Sequence, residues 1–133
     1  MVTSKEPIRS DKRVAKPNNH PDCAIRVVLD RIGDKWSFLI ILKLAKGAYR
    51  FGELRREIDD ISQRMLTETL RSLQRDGLVE RTVYSTMPLS VGYSLTEMGA
   101  SILEPMRGLV RWADSRLPAI EQARAEFDTV SWR

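Results

Sequence analysis

Arg64, Arg71 and Arg75 recur at spacings of seven and four, with Thr67 between them and Gln63 just ahead. At 3.6 residues per turn these side chains gather on one side of a helix. Their chemistry suits a polyanion. An arginine fork matches the O6 and N7 acceptors of guanine or two oxygens of a phosphate, whereas Gln63 can bond adenine or phosphate and Thr67 can touch a thymine methyl. Any soluble amphipathic helix also solvates its outer face with charge, so this helix alone does not decide the matter. Its neighbours do.

The other chemistry-bearing residues are few. Cys23 is the only cysteine, which excludes an intramolecular disulfide and a Cys-ligated zinc site within one chain. It falls in the first turn of an expected helix, where the partial positive charge of the helix end favours thiolate over thiol, although Asp22 beside it favours the thiol. Such a cysteine can form a disulfide between subunits, carry an adduct or a sulfenic acid, or simply pack as a small apolar residue. The one histidine, His20, lies in a polar tail, and Asp59-Asp60 is a carboxylate pair explained by turn chemistry. No glycine-rich phosphate loop and no metal-ligand spacing occurs, so neither an enzyme nor a cofactor or metal is expected.

The flanking residues name the elements that would position the arginine face. Ser62 can cap the helix, Leu66, Leu70 and Leu73 form its inner stripe, and Gly77 supplies the left-handed stop. Ahead of it, Phe51, Leu54 and Ile58 predict a short helix, with Asp59, Asp60 and Ile61 as the turn. After it, Leu78 to Tyr84 and Tyr93 to Leu95 read as two strands joined by a loop of roughly eight residues containing Pro88 and Gly92. Upstream, Asp22 can cap a helix carrying Ile25, Val28, Leu29 and Ile32 to Gly33. Asp34 can cap a second, with Trp36, Leu39, Ile40, Leu42 and Leu44 apolar nearly all round, which marks the central buried helix. Downstream, Thr96 caps a helical region in which Ile102, Met106, Leu109, Ala113, Leu117 and Ile120 step by three and four. Pro105 and Pro118 there predict a kink or a fresh helix start.

The fold expected is mainly α with a small β-hairpin wing: a winged helix-turn-helix with N- and C-terminal dimerisation helices. The 133 residues, 42% of them hydrophobic, allow one domain with a modest core. Residues 1–20, with Lys5, Arg9, Lys12, Arg13 and Lys16 among prolines and asparagines, read as a flexible basic arm. Residues 21–133 read as the folded domain, with dimerisation helices over about 97–127. The apolar stripe from Ile102 to Ile120 outlasts what a small winged domain covers by itself, hence the expected homodimer. The longest apolar run, Phe38 to Leu42, is far too short to span a membrane, and no secretory h-region opens the chain. A cytoplasmic protein with no membrane partner is expected.

A net charge of +4 and a pI near 9.5 lean mildly towards a polyanionic partner. From Arg50 to Arg81, however, seven basic residues are matched by seven acidic ones. Binding to double-stranded DNA must then depend on how the faces are sorted. The rival is a winged-helix protein interaction module without DNA binding, and the enzyme class is left behind.

Several motifs in order resemble the HxlR-type regulators, which belong with the MarR-like winged-helix transcription factors of bacteria. They are Gly33-Asp34-Lys35-Trp36, Phe51 with Glu53-Leu54, Ile61-Ser62-Gln63-Arg64-Met65-Leu66-Thr67, Asp76-Gly77-Leu78-Val79-Glu80-Arg81, and Tyr93-Ser94-Leu95-Thr96-Glu97-Met98-Gly99. The resemblance covers about residues 21–115. It implies a homodimeric transcription factor whose recognition helices enter successive major grooves of a palindromic operator, with dimerisation through the first and last helices. On the residues this makes Ser62, Gln63, Arg64, Thr67 and Arg71 the base-reading candidates, and Arg50 and Arg81 the backbone-positioning ones. Cys23 sits where the family often carries a cysteine, which makes it the redox-sensing candidate; a small-molecule effector in the dimer crevice is the alternative switch. The wing departs from the family pattern. Met87-Pro88-Leu89-Ser90-Val91-Gly92-Tyr93 replaces a proline pair followed by a basic residue, and no Lys or Arg occurs between Arg81 and Arg107.

Overall fold

The computed structural model describes residues 23–130; the expected basic arm, His20 and the Asp22 cap lie outside the described residues. Helices α1 (Cys23–Ile32) and α2 (Lys35–Leu44) lead into a two-residue strand β1 (Tyr49–Arg50), then α3 (Phe51–Glu57) and α4 (Gln63–Arg75). The hairpin β2 (Val79–Thr86) and β3 (Leu89–Leu95) follows, then α5 (Glu97–Ser101) and α6 (Leu103–Val130). The strands form one antiparallel sheet in the order β1-β3-β2. Among the described residues, no helix is long and apolar enough to cross a membrane.

The local signals act as their chemistry requires. Asp34 heads α2, its Oδ2 accepting from the Ser37 N–H at 3.0 Å and its Oδ1 from the Ser37 hydroxyl at 2.7 Å. Burial pushes the Asp34 carboxyl up, but the bonds from the Ser37 hydroxyl and backbone outweigh it and hold the group below its usual value. Asp60 takes φ +72° in the turn between α3 and α4, a conformation its short polar side chain tolerates. Gly77 at φ +81° ends α4, and the Leu78 N–H donates to the Leu73 carbonyl at 3.0 Å as the chain turns into the sheet.

The core is the meeting of α2, α3 and α4 over the base of the hairpin and the start of α6. Ile40, Ile41, Leu54, Leu66, Leu70, Leu73 and Val79 are essentially sealed, joined by Leu44, Ile58, Ile61, Leu103 and Met106. Leu39 is the exception on α2, which is therefore not apolar-buried all round.

Two further expectations need correction, the extent of the wing and the effect of Pro118. The wing is not two short strands around an eight-residue loop: the strands run on to Thr86 and from Leu89, leaving only Met87-Pro88 as the turn. Pro88 and Gly92 are turn-formers, but Gly92 lies inside β3, paired with Thr82 and Arg50. Next, Thr96 caps the separate short helix α5, its Oγ1 accepting from the Gly99 N–H, and the long helix begins at Leu103. The break matches the fresh start expected near Pro105, which sits in the first turn of α6 where its missing donor costs nothing. The second proline does not end the helix; α6 runs through Pro118 to Val130.

Candidate nucleic-acid interface

Two anchors fix which side of α4 faces outwards. The Ser62 Oγ accepts from the Met65 N–H at 3.0 Å and starts the helix, and Leu66, Thr69, Leu70 and Leu73 clamp its inner side into the core. Gln63, Arg64, Thr67 and Arg71 are consequently exposed, as their spacing demands. Within that face the groups are partly engaged. Arg64 Nε donates to Glu68 Oε2 at 2.9 Å while its side chain is 86% exposed. A surface pair of this kind contributes about 0–1 kcal/mol, so the guanidinium can exchange Glu68 for another acceptor at small cost. The Thr67 Oγ1 donates to the Gln63 carbonyl at 2.9 Å, which spends the hydroxyl proton and leaves a lone pair and a methyl facing out.

One turn further on, α4 meets the wing. Thr67, Arg71 and Gln74 line a cleft of about 330 Å³ whose other wall is Arg81 and Tyr93, directly paired across β2 and β3. Three of the residues singled out from sequence, Thr67, Arg71 and Arg81, thus converge although they come from different elements. Arg64 and Gln63 stand apart, nearer the helix start. Arg50 stands apart again: its Nη1 donates to the Ser90 Oγ at 2.8 Å, and its guanidinium lies 4.7 Å from the centroid of the Tyr84 ring. Its backbone N–H donates to Glu53 Oε1 at 2.8 Å at the start of α3.

Cys23 is the first residue of α1, half-buried and free. It is remote from the arginines in sequence, yet α1 is tied to the reading unit. Arg31 Nε lies 3.9 Å from Asp76 Oδ1, and Asp76 closes the C-terminus of α4.

Sequence reasoning missed Glu68, Gln74, Tyr84, Ser90 and Tyr93. Glu68 was there to be found, four residues after Arg64 and therefore its neighbour on the helix. So was Gln74, three residues after Arg71 on the same helix, whereas Tyr84, Ser90 and Tyr93 depend on pairing between distant segments.

The arrangement, a capped helix with a basic outer face beside a two-stranded wing, has close counterparts. The model of the HxlR-like helix-turn-helix family matches residues 31–121. The chain belongs to that family. One relative, the uncharacterized HTH-type transcriptional regulator YtfH of Escherichia coli, is 36% identical over 104 residues, covering 78% of this chain and 82% of YtfH. YybR of Bacillus subtilis is 38% identical over 116 residues, covering 87% and 92%. Among solved structures, the redox regulator HypR in its reduced form superposes with a TM-score of 0.70 at 38% identity, over 74% of this chain and 98% of HypR. The reduced form of the transcriptional regulator YodB from B. subtilis gives 0.62 at 36% identity, over 69% and 90%. This HxlR-like chain is accordingly a DNA-binding transcriptional regulator and not an enzyme, and the interaction-module alternative gives way.

Proposed function

We propose that this regulator acts in the cytoplasm as a homodimer on a palindromic operator, and that its occupancy responds to oxidants or electrophiles through Cys23. The N-terminal half of α4 reads bases through Gln63 and Arg64, with Ser62 setting the helix start. Arg71 and Arg81 grip the backbone from the two walls of their cleft, and Thr67 touches either a base or a phosphate between them.

The observation that carries the dimer is α6. Only Leu103 and Met106 of its 28 residues are buried, while Leu109, Trp112, Leu117 and Ile120 lie 40–53% exposed. On α1 no residue is buried, and Ile25, Val28 and Leu29 face outwards too. Two apolar helices without cover at opposite ends of the domain sequence suit an interface in which each copy covers the other.

The redox part draws support from similarity to HypR and YodB, and from the Arg31–Asp76 pair that joins the Cys23 helix to the end of α4. A gel shift on the chain's own upstream intergenic DNA tests operator binding and the Cys23 response. Retarded duplex that is released or tightened by oxidant in wild type, and unchanged by oxidant in Cys23→Ser, is the expected result. An oxidant response that persists in Cys23→Ser, or none in either protein, would end the sensor role and leave Cys23 as a packing residue.

A further inference from the structure

Beyond Arg81 the wing has no charge of its own: from Thr82 to Thr96 the chain contains neither an acid nor a base. The fold nevertheless brings a cation onto it. Arg50 pairs with Gly92 of the central strand β3, and Gly92 pairs with Thr82 of β2. Just beyond, the register slips by one residue between Val83 and Ser85, which makes Tyr84 an inserted, bulged residue. A bulge re-aims the side chain it carries. Here the Tyr84 ring lies across Gly92, so closely that a Cβ at that position would collide with the ring. Because the central strand has no side chain there, the ring of β2 reaches β1 on the far side. The Arg50 guanidinium sits 4.7 Å from its centroid and donates to the Ser90 Oγ at 2.8 Å. Arg50 remains exposed, and Tyr84 is half exposed.

We propose that Arg50 is a second cation of the wing beside Arg81, held by the Tyr84 ring and the Ser90 hydroxyl across Gly92 so that its free donors face a backbone phosphate of bound duplex DNA. The assignment rests on the DNA-binding reading of the α4 unit. Of the five donors of a guanidinium, one goes to Ser90 and the rest stay available. An arginine already stacked and bonded gives up less side-chain freedom on meeting a phosphate than one waving in solvent. Tyr84 and Ser90 are positioning residues in this arrangement, acting on DNA only through Arg50. The plain structural role, a staple that ties β1 to the hairpin, predicts something different: effects on melting without effects on salt dependence.

The experiment is fluorescence anisotropy with the full-length protein. It uses a duplex of the chain's own upstream intergenic DNA and a random duplex of equal length, each titrated over a range of salt. Arg50→Ala is expected to weaken both by about tenfold and to reduce the slope of log K against log salt by about 0.9, the share of one phosphate. Tyr84→Leu and Ser90→Ala, which leave the charge in place, should each lose a smaller factor, and Tyr84→Phe should recover most of it. Combined with Arg50→Ala, neither should cost anything more, since the side chains they position is already gone. An unchanged slope for Arg50→Ala, alongside weakened binding by Arg71→Ala, would overturn the wing cation and leave DNA binding by α4 intact. Full additivity of Tyr84→Leu with Arg50→Ala would overturn the positioning role. Binding that survives both Arg50→Ala and Arg71→Ala without loss would instead overturn the underlying reading of the interface, and this assignment with it.

Discussion

Helices α4 and α6 both carry long apolar stripes, yet one is finished within a single chain and the other is not. Leu66, Leu70 and Leu73 of α4 are sealed in the core that α4 shares with α2 and β2, whereas Leu109, Leu117 and Ile120 of α6 stay 40–53% exposed. At 1.5 Å per residue the 28 residues of α6 run about 42 Å. Only its first turns reach the core, through Leu103 and Met106. An amphipathic pattern therefore says that a helix has a partner, and not where the partner is. For α4 the partner is the chain's own core, which is what holds its arginine face rigidly outwards. For α6 and α1 it is proposed to be a second copy.

The contrast can be broken at its finished end first. Leu70→Ala removes a buried side chain from the centre of the core and is expected to cost about 2–5 kcal/mol, read by urea or thermal unfolding. An equally large loss on truncating Leu117 in a demonstrably monomeric protein would show that α6 is packed in a way the single chain does not reveal.

The outer face of α4 comes next. Arg64→Ala should cost about 1–3 kcal/mol on the operator and little on random duplex, because it removes a base contact. Arg81→Ala should weaken both alike and lower the salt slope by about one unit, as loss of a phosphate contact does. Equal losses on the two duplexes for Arg64→Ala would mean that α4 does not read bases through that residue.

The smallest effect sharpens the finished region further. Asp34→Ala deletes the cap of α2 and should lower stability by about 1 kcal/mol at neutral pH. The folded carboxyl titrates below its ordinary 3.8, so the capping contribution is fully present above that pH and fades as the pH falls through the depressed value. Melting temperatures of wild type and Asp34→Ala are expected to differ at pH 7 and to converge in acid. A constant gap down to pH 2 would contradict the cap's ionisation.

What the sequence made legible was whatever depends on near neighbours. The caps at Asp34, Ser62 and Thr96, the stop at Gly77 and the leucine stripe of α4 all act over one turn of chain, and all stand where their residue types placed them. The wing was misjudged because Gly92 is a turn-former by local chemistry, while its real task is to clear a path for the Tyr84 ring between strands. Strand β1 has two residues, too few to show any alternation, and exists only because β3 pairs with it. Of the candidate site, the exposed face of α4 was readable, but the cleft shared by Arg71 and Arg81 and the seat of Arg50 on Tyr84 and Ser90 come from strand register that no local pattern encodes.

The division between a finished reading unit and two uncovered helices is tested most directly by the mass of the protein in solution. Light scattering at micromolar concentration is expected to give twice the 15.3 kDa of one chain, since that much apolar surface on α1 and α6 would not otherwise stay wet. A mass of 15.3 kDa under the same conditions would contradict the homodimer.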